Sequence, residues 1–195
     1  MNREKAANKI SDIFNPYYSS APFFCLVAAS AAPDAVTFLL NAAILTAFFS
    51  FLPLWDIRRR IRKGLVQDAH INSREDRLKP FLFSLTCAVT GLAALYVAGA
   101  PDVVLAVAWT VVALGATITV VTTVWKISLH AAGITSIAAM LYFIFGAVVA
   151  PVALLVPVVG WARLTLRKHT PAQLAAGIIV AIVITAGVFS FFGLI

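Results

Sequence analysis

The chain has 195 residues, 62% of them hydrophobic and only 12% charged, where soluble domains run at about 25% charged. Fifteen Lys and Arg stand against 8 Asp and Glu, a formal net charge of +7. This composition excludes a soluble domain of ordinary kind and points to membrane spans of about 20 residues each. Cys25 and Cys87 both sit in apolar runs without Cys-x-x-Cys spacing, so neither a disulfide framework nor a zinc site is expected.

In chain order, residues 1–12 mix charges of both signs and lack the apolar core of a secretory signal, so they are expected to lie at the membrane interface. Uncharged stretches follow at 13–33, 35–55, 80–101 and 103–125, each long enough for one helix across a hydrocarbon core of about 30 Å. Residues 127–162 hold no Asp, Glu, Lys or Arg and predict two crossings with a turn near 146–151, and a last helix runs from Pro171 to Ile195. The expected fold is all-α: a polytopic transmembrane helix bundle over 1–195, one domain without a soluble part, interrupted by a basic cytoplasmic loop at 56–79. Seven segments are counted. Pro22 and the polar run 15–20 shorten the first, so six crossings and one interfacial helix is the alternative count.

The turns alternate in character. Ala-Pro-Asp recurs at 32–34 and 100–102, giving short acidic turns without a basic residue. All 15 Lys and Arg fall on the other face: the N-terminus, the 56–79 loop, Lys126 and the stretch 163–168. An excess of basic residues marks the cytoplasmic side, so that face is expected in the cytoplasm of a multi-pass protein of the cell membrane. The run DIRRRIRKG reads first as a topology marker attracted to anionic headgroups. Trp55, Trp125 and Trp161 suit an interfacial aromatic belt. No soluble fold is available to present a nucleic-acid reader, and none is expected.

Polar side chains at the ends of apolar helices are costly and therefore candidates for function. Three clusters return to the cytoplasmic face after pairs of crossings. They are 72–80 (Asn72, Arg74, Arg77 and Lys79, with Glu75 and Asp76), 126–130 (Lys126, Ser128 and His130) and 163–173 (Arg163, His169 and Gln173). Two histidines, several cations and a serine suit phosphoryl transfer: the cations neutralise phosphate oxygens, one imidazole attacks phosphorus and the other protonates the departing oxygen. That chemistry calls for no metal and no cofactor. Thr170 before Pro171 is a helix N-cap followed by a first-turn proline, and His70 is a loop residue.

These residues resemble the active site of the type 2 phosphatidic acid phosphatase superfamily, membrane enzymes that remove phosphate from lipid phosphates and polyprenyl diphosphates. The family's third motif is Ser-Arg, five residues, His, three residues, Asp; here Arg163 is followed by His169 and Gln173 at those spacings. Its second motif is Pro-Ser-Gly-His, of which 127–130 keeps Ser128 and His130. Its first motif is Lys, six residues, Arg-Pro; aligned on Pro80, Lys79 takes the Arg slot and Asn72 the Lys slot, with Arg74 and Arg77 placed to supply the displaced charge. The resemblance implies that His169 is a nucleophile forming a phosphohistidine, His130 the acid and later the base, and Arg163 a phosphate clamp. Ser128, Lys126, Arg74, Arg77, Lys79 and Gln173 are implied as substrate-binding. Ala162 replaces the family's Ser, and Gln173 the Asp that accepts from the nucleophilic histidine. Gln keeps an acceptor oxygen and loses the charge.

A cytoplasm-facing site favours a lipid phosphate or prenyl diphosphate of the inner leaflet, with membrane lipids as the surrounding partners. One alternative is a magnesium-dependent prenyltransferase using Asp68, Glu75 and Asp76. Such enzymes have two Asp-rich motifs, and no carboxylate side chain follows Asp102. The other is a scaffold or transporter whose site has decayed to an anion pocket, suggested by Asn72, Ala162 and Gln173.

Overall fold

A computed structural model describes residues 2–66 and 73–195, the Glu75 side chain excepted. The described residues are helical, with no strand among them. Among the described residues five helical stretches are long and apolar enough to cross a membrane: Ala35–Arg62, Leu78–Val97, Asp102–Val124, Leu129–Thr165 and Pro171–Phe191. Apolar side chains such as Val97, Val148 and Phe191 are more than four-fifths exposed, as suits helices whose outer faces meet lipid rather than water.

The chain forms two compact units, residues 20–125 and residues 1–19 with 126–195. The first holds all but the opening four residues of α2 (Pro16–Ala31), which carries Pro22 inside a 16-residue helix, short of the length a crossing needs. The next helix is one continuous run with a widened π turn, Ala47–Phe51, between α3 (Ala35–Thr46) and α4 (Leu52–Arg62). Pro53 has no N–H to give back to the preceding turn, and a π turn accommodates such a break without ending the helix. At that turn Gly91 of α5 (Leu78–Val97) lets the chain approach closely, since a Cβ there would lie 2.6 Å from Phe48 Cβ.

Residues 56–62, expected as the start of a loop, are the last turns of α4 instead. Asp56 is buried and accepts from Arg60 Nε at 2.5 Å, with Arg59 3.9 Å away. The arginines thus continue a helix whose C-terminal carbonyls favour positive charge. Arg74 donates to the carbonyls of Thr123 and Val124 at 3.2 and 2.9 Å, at the end of α6 (Asp102–Val124), where helical acceptors lack partners of their own.

The second unit contains α1 (Arg3–Ile13), α7 (Leu129–Phe145), α8 (Leu155–Thr165) and α9 (Pro171–Phe191). The turn expected near 146–151 is present: Gly146 takes φ +73°, a value that glycine adopts freely. A nine-residue 3-10 segment, Gly146–Leu154, leads into α8, and both pack back on α7. Leu129–Thr165 is therefore a hairpin. α7 and α9 run parallel, with Gly177 against Ser128, Ser136 hydrogen-bonded to Thr185 at 3.1 Å, and the Phe143 and Phe189 rings 5.5 Å apart. Gly177, Ala181 and Thr185 recur every fourth residue as the buried stripe of α9, the small-residue spacing that lets membrane helices meet closely.

Candidate functional site

The spacing between Arg163 and His169 is that of one helix ending and another beginning. After α8 the Lys168 N–H bonds the Arg163 carbonyl and the Arg167 N–H bonds the Leu164 carbonyl, with Arg167 at φ +50°. This is a Schellman ending with arginine in the left-handed position usually given to glycine. His169 follows, and Thr170 caps α9. The Thr170 hydroxyl accepts from the Gln173 N–H at 3.3 Å, and Gln173 Oε1 accepts from the Thr170 N–H at 3.1 Å, a reciprocal capping box.

Gln173 has a second duty. The His169 Nδ1 lies 3.3 Å from Gln173 Oε1. The Thr170 N–H can only donate, so the amide atom facing it is oxygen, and an oxygen facing His169 makes Nδ1 the protonated nitrogen. In the neutral ring the lone pair is then on Nε2.

The first turn of α7 meets this corner. The Ser128 N–H donates to the Gln173 carbonyl at 3.2 Å, and the Ser128 hydroxyl accepts from the Ala131 N–H at 3.3 Å as the N-cap of α7. A Cβ on Gly177 would lie 2.8 Å from the Ser128 carbonyl oxygen. Two helix N-termini, each the positive end of its dipole, therefore abut. His130 is in that first turn, and its Nε2 lies 3.1 Å from the Ser11 carbonyl of α1. A carbonyl only accepts, so Nε2 carries the proton in this ring.

Arg163 donates from Nη1 to the Ser11 hydroxyl at 2.5 Å. One residue thus receives hydrogen bonds from a side chain of α7 and a side chain of α8, which limits the two donor nitrogens to about 10 Å apart by covalent reach alone. Arg163, His130 and His169 are 1%, 5% and 7% exposed, burial that an arginine tolerates only with hydrogen-bonding partners.

This unit therefore contains His130, His169, Arg163, Ser128, Gln173 and the half-buried Lys126 of the expected site. Arg74, Arg77 and Lys79 belong to the unit of residues 20–125, where Arg77 is buried, Lys79 is exposed and Arg74 holds the end of α6. Asp68, His70 and Asn72 lie outside the described residues, as does the Glu75 side chain. Among the described residues no group of three or more His, Cys, Asp or Glu is placed to hold a metal ion.

Ser11 is the residue that sequence reasoning missed. Its signal was weak: Ala6, Ala7 and Ser11 are the small residues between the charges of α1, and of these Ala7 and Ser11, one helical turn apart, are the two buried where α1 packs on α8. Comparison with family models, with curated proteins and with solved structures gave no match to this chain.

Proposed function

We propose that this protein is an integral membrane phosphatase that hydrolyses a lipid phosphate or prenyl diphosphate through a phosphohistidine, without a metal ion. The observation that carries the reading is the meeting of Arg163 and His130 on Ser11, beside the abutting starts of α7 and α9. Buried cationic and N–H donors gathered around Ser11 and the neighbouring helix starts suit an anion whose charge is to be stabilised during reaction. The site faces the cytoplasmic leaflet of the cell membrane by the distribution of basic residues. The Leu129–Thr165 hairpin enters and leaves the bilayer from that side, and α2 is the interfacial helix of the six-crossing count.

In this mechanism Arg163 and the N-termini hold the phosphoryl oxygens. Nε2 of His169, carrying the lone pair because Nδ1–H is given to Gln173, attacks phosphorus. The P–O bond to the lipid alkoxide, or to the diphosphate leaving group, breaks, and that oxygen takes the Nδ1 proton of His130, which enters the step as the imidazolium and leaves it as the neutral ring with Nε2–H still on the Ser11 carbonyl. His130 then removes a proton from water, which attacks the phosphohistidine; the P–N bond breaks and inorganic phosphate leaves. Ser128 and Lys126 border the anion, while the exposed Lys79 attracts anionic headgroups to its own surface.

Phosphate release from purified protein in lipid nanodiscs, over a panel of lipid phosphates and prenyl diphosphates with and without chelator, tests the reading. Turnover that survives chelator and is lost in His169→Ala and His130→Ala is expected. Parent rates in both variants would remove the site assignment. A second reading, an anion-binding pocket without turnover, is favoured by one observation: the capping box of α9 is reason enough for Gln173 at this position, whether or not it also orients a nucleophile. That reading expects phosphate binding and no release.

A further inference from the structure

We infer that Ser11 is the positioning residue of the anion site, setting Arg163 and His130 in register from a helix that carries neither; this rests on the phosphatase reading above. A guanidinium has five N–H donors in a rigid plane, so fixing one terminal nitrogen against a buried hydroxyl fixes where the rest of the fork is directed. Arg163 Nη1 is held in this way by Ser11 Oγ. The carbonyl of the same residue receives His130 Nε2–H at 3.1 Å, which selects the imidazole tautomer with its exchangeable position at Nδ1.

Arg163 and His130 come from the last turn of α8 and the first turn of α7. Their chain separation from Ser11 is 152 and 119 residues, so no local geometry imposes the meeting. Ser11 is itself fully buried. The burial of Ala7 one turn earlier brings α1 close enough to α8 for so short a side chain to reach. A larger residue at position 7 would lift it away.

The two bonds differ in what a substitution removes. Ser11→Ala deletes the hydroxyl and keeps the carbonyl, so the Arg163 anchor is lost while the His130 tautomer is retained. Ser11→Thr keeps both. The expected outcome for Ser11→Ala in nanodiscs is a KM for lipid phosphate raised about tenfold with kcat within about twofold, because an anchor of the phosphate clamp acts on ground-state and transition-state binding alike. The inhibition constant of inorganic phosphate rises in parallel, Ser11→Thr restores both values, and the nitrogen-15 spectrum of His130 still reports Nε2–H.

The outcomes separate the two claims. An active parent with Ser11→Ala unchanged in KM and in phosphate affinity overturns the role of Ser11 and leaves the phosphatase reading standing. A KM raised equally in Ser11→Ala and in a Ser11→Thr variant that melts with the parent also overturns it, since the hydroxyl would not be the cause. A parent inactive on the whole panel, yet binding inorganic phosphate more weakly after Ser11→Ala and normally after Ser11→Thr, keeps Ser11 as an anion-site residue and removes the hydrolase. A parent that neither turns over nor binds phosphate removes both.

Discussion

His169 and Gln173 stand one helical turn apart at the start of α9, with Nδ1 of the ring 3.3 Å from the amide oxygen that also closes the cap of the helix. One side chain thus links the folding of α9 to the tautomer of the candidate nucleophile. Gln173→Ala removes both bonds. The expected cost is about 1 kcal/mol of stability, typical for loss of a cap, together with a fall in kcat. Gln173→Glu keeps the capping box, which accepts either residue, and sets a carboxylate against Nδ1–H. Its kcat is expected to rise about tenfold, by the stabilisation that a buried carboxylate gives an imidazolium. Thermal melting and steady-state kinetics on the same preparations read the two effects separately.

Gly177→Ala tests the approach of α7 to α9. The added Cβ would lie 2.8 Å from the Ser128 carbonyl oxygen, which is backbone and cannot swing aside. Separating the two helices is expected to cost about 1–3 kcal/mol, as overpacking does, and to lower turnover because Ser128 and Gln173 are joined at that corner. Gly187→Ala, inside the same helix where a Cβ meets nothing within 4 Å, is the control and is expected to melt at or slightly above the parent, since alanine favours a helix interior over glycine.

Arg167→Gly acts in the opposite direction. Arg167 holds φ +50° at the end of α8, a conformation that costs an L-residue about 1 kcal/mol and glycine almost nothing. The variant is expected to gain up to about 1 kcal/mol in thermal melting, less whatever the freer unfolded chain takes back.

Asp34 provides a pH-dependent contribution outside the spans. Its carboxylate caps α3 by accepting from the Thr37 N–H at 2.8 Å, and that bond holds its pKa below the ordinary aspartate range, burial acting weakly in the other direction. A depressed folded-state value stabilises the fold above the unfolded pKa of about 3.9, and the contribution is lost as pH falls through the folded value. Asp34→Ala is therefore expected to melt below the parent at neutral pH and to converge with it in acid, in parallel melting curves at the two pH values.

Much of this architecture was legible because the membrane imposes its own period. The charges at Asp34, Asp102 and Lys126 fall at helix boundaries, and Gly146 makes the predicted turn. The length of α4 was not legible, since Asp56 and the arginines read as a loop until the buried Asp56–Arg60 pair made them helical. The pairing of Thr170 with Gln173 was half visible: the cap could be read from Thr-Pro, whereas the return bond from Gln173 needed the backbone. Ser11 was out of reach, because its partners are separated from it by most of the chain and a serine among charges has no pattern to mark it.

The most direct test of the central claim is to look for phosphate on His169. Protein turning over a lipid phosphate or prenyl diphosphate is quenched in alkali, where phosphohistidine survives, and the peptide spanning 164–180 is weighed. One phosphoryl group is expected on His169 in the parent and none in His169→Ala. Turnover by the parent with no phosphoryl group on that peptide at any quench time, or with phosphate on another residue, would contradict it.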